Sequence, residues 1–186
     1  MKSSSLLRQL SHGEVAFYNT SLSITTISKV LGDIPFEALQ HCFEILLNKH
    51  PILQCCVTES DGIQYFTIRA SKKQKVQLVE YSDQDDAHEY FQEIINSTLD
   101  PQKSLIEITV LKPSPSIKNN TSTYILTHVS HIVSDGMCNI EFHNELLELC
   151  NQVLTNTPIS NNKHFKNQKR RLGLVVDEYG EVKGMA

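Results

Sequence analysis

Apolar residues recur at helical spacing in three stretches of the chain and run at strand-like spacing between them. Phe36, Leu39, Phe43 and Leu46 follow one another at intervals of three, four and three, with Ala38, Cys42 and Leu47 alongside. One apolar face results, which predicts a helix over 35–49. Pro35 suits its first turn, where the missing N–H does no harm, and Pro51 ends it near His50 by disfavouring α geometry in the preceding residue. A second stripe, Ala87, Tyr90, Phe91, Ile94, Ile95 and Leu99, follows Ser82 and Asp85, which approximate a capping box. The third helix is predicted from Met137 or Cys138 to Leu154, with Ile140, Leu146, Leu147, Leu149, Cys150 and Val153 available for burial.

The intervening runs read as strands at 22–30, 52–58, 63–69, 76–81, 105–111 and 122–130. Glu59-Ser60-Asp61-Gly62 marks a hairpin between the second and third of these, with a loop longer than two residues. Residues 1–20 are polar and mixed, and Ser11-His12-Gly13-Glu14 could cap a short helical turn. Lys72, Lys73 and Lys75 read as a solvated loop, and Lys112–Thr121 as a long turn-rich one. The order of elements, with hairpin-like connections, predicts an α+β two-layer sandwich with a mixed, largely antiparallel sheet and about three main helices. Residues 156–171 are polar and turn-rich and read as a linker between 1–155 and a short tail at 172–186.

Composition narrows the function classes. A chain of 186 residues with 40% apolar residues can build one sizeable core. Its formal net charge of −4 supplies no basic field for nucleic acid and no polybasic membrane patch. No apolar run reaches membrane-spanning length and the N-terminus lacks a signal-peptide pattern, so the expected location is cytoplasmic. Five cysteines without paired spacing then read as reduced, mostly buried thiols.

The candidate chemistry lies in Thr127-His128-Val129-Ser130-His131-Ile132-Val133-Ser134-Asp135-Gly136, between the last long strand and the third helix. His128 and His131 fall on opposite faces of a regular strand, and the other histidines show no ligand spacing, so no metal site is expected. His131, at a strand end before a tight turn, is placed to act as a general base, because an imidazole can take and return a proton near neutral pH. Asp135 has the position of a helix N-cap. Gly136 is read as permitting a backbone conformation or a close approach that a side chain would obstruct.

His131-x-x-x-Asp135-Gly136 resembles the active-site motif of the chloramphenicol acetyltransferase-like superfamily, which includes nonribosomal peptide condensation domains, polyketide-associated acyltransferases and alcohol acyltransferases. Leu10-Ser11-x-x-Glu14, Asn48-Lys49-His50-Pro51-Ile52-Leu53 and Leu105–Val110 resemble segments in the same order in that superfamily. The resemblance covers about residues 6–155. It implies direct acyl transfer from a thioester of coenzyme A or of a carrier-protein phosphopantetheine to an alcohol or amine deprotonated by His131, with no bound cofactor. It also implies a structural role for Asp135, through a salt bridge to an arginine, and for Gly136. Ser130 stands where condensation domains usually carry a histidine, and Gln54 where an arginine is frequent. Condensation-type relatives carry two such halves, with a channel between them leading to the histidine. The second half, with its Asp-Phe-Gly-x-Gly-type motif, has no counterpart here, so the chain is expected to be incomplete as a catalyst unless a second half-domain or self-association supplies the facing surface. The competing reading is a non-catalytic half-domain that serves as an interaction module.

The tail is a different object. Val175-Val176-Asp177-Glu178-Tyr179-Gly180 and the residues after it resemble the hairpin of cystathionine-β-synthase-type (CBS) domains of hemolysin C-like proteins. About fifteen residues match, so the tail is read as a truncated hairpin from a gene fusion or frameshift rather than a nucleotide-binding module.

Overall fold

The computed structural model describes residues 5–31, 34–68, 74, 76–116, 122–156, 175–176 and 182–183. In chain order these form β1 (Ser5–Gln9), α1 (His12–Thr20), β2 (Ser23–Leu31), α2 (Phe36–Lys49), a 3-10 turn (Pro51–Gln54), β3 (Cys55–Ser60) and β4 (Ile63–Ile68). There follow β5 (Gln77–Tyr81), α3 (Gln84–Asn96), β6 (Ile106–Pro113), β7 (Ser122–Ser130), α4 (Gly136–Leu154), β8 (Val175–Val176) and β9 (Val182–Lys183). The α+β class and the mixed, largely antiparallel sheet hold. Strands order as β2-β7-β6-β5 in one sheet and β1-β4-β3 in a second, and only β5 and β6 run parallel within them.

The central strand organises the rest. Every residue of β7 is buried, which follows from its apolar run and from the helices on both faces of its sheet. Ile125 and Val129 join the larger core with Leu39, Phe43 and Leu46 of α2 and Phe142, Leu146 and Leu149 of α4. Tyr124 and Leu126, on the other parity, pack with Ala87, Tyr90 and Phe91 of α3. Alternation along one strand therefore feeds two cores. At the tip of α2, Glu145 of α4 holds Lys49 Nζ at 3.1 Å and His50 Nε2 at 2.7 Å.

Several local features differ from the sequence expectation. The short turn expected near residue 11 is a nine-residue helix, α1, with a full capping box: the Ser11 amide donates to Glu14 Oε2 at 2.7 Å and the Glu14 amide to Ser11 Oγ at 3.4 Å. Before it, β1 pairs with β4, although Ser5–Gln9 shows no alternation by which to read it. The strand expected from residue 52 begins at Cys55, because Pro51 opens a 3-10 turn in which the Leu53 amide donates to His50 O at 2.9 Å. The second helix stops at Asn96 rather than Leu99, although Leu99 is still buried. The hairpin loop is two residues long: Asp61 and Gly62 have φ of 53° and 76°, as a type I′ turn requires. Most of the expected linker lies outside the described residues, and of the tail only an antiparallel pairing of β8 with β9 is described. Among the described residues no helix is long and apolar enough to cross a membrane.

Leu46 is fully buried in the larger core, between elements that must repack around any void. Leu46→Ala is expected to cost about 2–5 kcal/mol, read as a shift in the urea midpoint with an unchanged slope.

Candidate functional site

The site is built at the exit of β7. The Ser130 amide donates to Leu105 O at 2.9 Å and the His131 amide to Leu22 O at 2.8 Å, so backbone ordering continues one residue past the strand. The chain then turns through Ile132 and Val133, both buried, and enters α4. His131 is half-buried, its ring stacked on Phe17 of α1 with centroids 4.1 Å apart and planes 5° from parallel. Its Nδ1 is buried and has no hydrogen-bond partner among the described residues.

Asp135 is the N-cap of α4, and its Oδ1 accepts from the Cys138 amide at 2.8 Å. That bond, with smaller help from Met137 and His131, holds the carboxyl below its ordinary range although the residue is exposed. The salt bridge to an arginine that the resemblance implies is not formed among the described residues, where the only arginine, Arg8, is bound to Glu14. Gly136 also departs from expectation. Among the described residues a Cβ there would meet nothing within 4 Å, and its φ is not positive, so neither close approach nor left-handed geometry requires glycine there. Cys138 is the nearest thiol in sequence to the motif. Partial burial, together with the Asp135 carboxylate, raises its pKa and keeps it from serving as a ready thiolate.

His128 lies one strand face away from Thr127 and is buried, and that burial lowers its pKa. α4, β2 and β7 share a buried polar cluster that no motif in the sequence marks out. His143 of α4 is 1% exposed, with Nδ1 3.0 Å from Thr127 Oγ1 and Nε2 2.7 Å from Ser28 Oγ. Asn139, 0% exposed, accepts from Thr127 Oγ1 at 3.3 Å and donates to Ile24 O at 3.0 Å. One proton arrangement closes the circuit: Ser28 donates to His143 Nε2, His143 Nδ1–H donates to Thr127, and Thr127 donates to Asn139. That arrangement needs a neutral imidazole, and burial pushes His143 down to about 4. The cluster ties α4 to β2 and β7. Its sequence signal was available, since Asn139 and His143 are polar residues four apart on a helix facing an apolar strand.

No protein-family model matches the chain, and no curated protein matches it. Solved structures do. Polyketide synthase associated protein 5 from Mycobacterium tuberculosis matches with a TM-score of 0.66 at 21% identity, over 87% of this chain and 38% of that one. The condensation domain of the Monacolin K polyketide synthase MokA matches at 0.70 and 15% identity, over 91% of this chain and 39% of that one. The starter condensation domain of rhizomide synthetase RzmA matches at 0.71 and 13% identity, over 86% and 42%. The fold is therefore a condensation-domain-like α+β fold, and the chain spans about two fifths of the length of the solved structures it matches.

The depressed His143 pKa makes stability depend on pH. Unfolding frees the imidazole to bind a proton below its ordinary pKa of about 6.5, while the folded state stays neutral down to about 4. The unfolded state binds more protons in that window, so stability is full above about pH 6.5 and falls as the pH drops toward 4, by up to about 3 kcal/mol. Urea midpoints measured from pH 7.5 to 4.5 are expected to fall accordingly, and His143→Gln is expected to lower stability while flattening the slope.

Proposed function

We propose that this chain carries the histidine half of an acyltransferase site, with His131 as the general base for transfer from a thioester to an alcohol or amine. The observation that supports this reading most is the position of His131 immediately beyond a fully buried central strand, half-buried, with Asp135 capping the next helix, in a condensation-domain-like fold. The donor is an acyl thioester of coenzyme A or of a carrier-protein phosphopantetheine. The acceptor gives its O–H or N–H proton to His131 as the heteroatom attacks the thioester carbonyl. The tetrahedral adduct then expels the sulfur, which takes the proton back from the imidazolium. No acyl group is ever attached to the protein, in keeping with a Cys138 thiol that is held protonated.

Proton transfer of this kind contributes only about 10²–10⁴-fold. Holding donor and acceptor in line is worth roughly 7–11 kcal/mol in well-aligned cases, and it needs a second wall facing His131. That wall is assigned to a further half-domain or to a second copy of this chain. A thiol-release assay over several acyl-CoA donors and acceptors, run beside sedimentation velocity, tests the reading. The 186-residue monomer is expected to turn over little, activity is expected to follow the assembled species, and His131→Ala is expected to remove at least about 10²-fold. Robust turnover by a monomer would contradict the need for a facing surface. Turnover indifferent to His131→Ala would remove the base assignment and leave the fold as an interaction module.

A further inference from the structure

We infer that Phe17 is the positioning residue of this site, fixing the His131 imidazole through ring stacking in place of a hydrogen bond. The inference rests on the reading of His131 as the base. For Nε2 to accept a proton from an acceptor, the neutral ring must carry its hydrogen on Nδ1. Such a tautomer is ordinarily set by a carbonyl or carboxylate on Nδ1, and here Nδ1 is buried with no partner among the described residues. Ring orientation therefore depends on packing. The contact available is Phe17, whose ring lies 4.1 Å from the imidazole centroid and 5° from parallel. A face-to-face arrangement this close leaves rotation about χ2 little room, because turning the imidazole out of plane would drive its edge into the phenyl face.

Phe17 is itself held from several directions. Its helix is fixed at the N-terminus by the Ser11–Glu14 capping box. The Glu14 carboxylate is gripped by Arg8 of β1 through Nη1 at 2.8 Å and Nη2 at 2.6 Å, and the Arg8 guanidinium lies 4.7 Å above the Phe66 ring of β4. The Leu10 amide donates to Gln64 O of β4 at 2.9 Å. Within α1, Val15, Phe17 and Tyr18 pack against the larger core, and Tyr18 Oη accepts from Gln102 Nε2 at 3.2 Å. The three-stranded sheet thus carries α1, and α1 carries the phenyl ring that orients the histidine.

The test uses the full chain with histidine ring labels. The carbon-bound ring protons of His131 are expected to be displaced upfield by the Phe17 ring current and to show one set of cross-relaxation contacts. Phe17→Leu is expected to return those signals to ordinary positions with contacts from more than one ring orientation, while Phe17→Tyr keeps the stacked signature. In the assembly that carries turnover, Phe17→Leu is expected to lower kcat by roughly 10- to 100-fold with little change in KM, and Phe17→Tyr to restore it. Unchanged His131 signals in Phe17→Leu, or equal kcat losses in both variants, would overturn the positioning role. If no assembled form of the unsubstituted protein transfers an acyl group, the reading of His131 as a base fails, and the ring signals alone decide whether Phe17 orients it.

Discussion

A strand buried on both faces sets the terms for this molecule. β7 has no side of its own to offer to water, so its odd-numbered apolar residues belong to the core under α2 and α4 and its even-numbered ones to the core under α3. Any polar side chain on such a strand must find a partner inside the protein, because burying it unpaired costs on the order of 1–3 kcal/mol. Thr127 meets that demand through Asn139 and His143, which in turn engage Ile24 and Ser28 of β2. The same bonds that satisfy the strand also fix the first turns of α4 against it. The histidine between the two elements inherits their rigidity.

His128, His131 and His143 are three histidines within a short span that burial and neighbours make chemically unlike one another. His128 and His143 are desolvated and held toward the neutral form, and His143 is further committed at both ring nitrogens. His131 is half-buried with no such commitments, and it sits where the backbone leaves the sheet. A residue left uncommitted at the end of a rigid element can serve a reacting partner without first breaking a structural bond. That contrast, more than the motif spelling, separates the candidate base from the structural histidines.

Much of this was legible from periodicity. The stripe through Phe36, Leu39, Phe43 and Leu46 gave α2 nearly to the residue, and the apolar run from Tyr124 marked β7 as interior because no polar face interrupts it. Asp135 was readable as a cap from its place before an amphipathic segment. What stayed hidden depends on contacts distant in sequence. β1 is a strand because β4 offers it an edge, and its own five residues carry no alternation. The Phe17–His131 stack joins positions 114 residues apart, and the Ser28–His143 bond joins positions 115 apart. Gly136 failed in the opposite direction: its place in a motif suggested a backbone constraint, and the space around it imposes none among the described residues.

The rigidity of β7 reaches past its end to His131, and native-state hydrogen exchange measures that directly. The amides of Ser130 and His131 donate to Leu105 and Leu22 across the two neighbouring connections, so they should exchange only through the same global opening that exposes Ile125 and Val129. Equal opening free energies across Ile125, Val129, Ser130 and His131 are the predicted result. Exchange at His131 faster by several orders of magnitude, through local fraying of the turn, would contradict it.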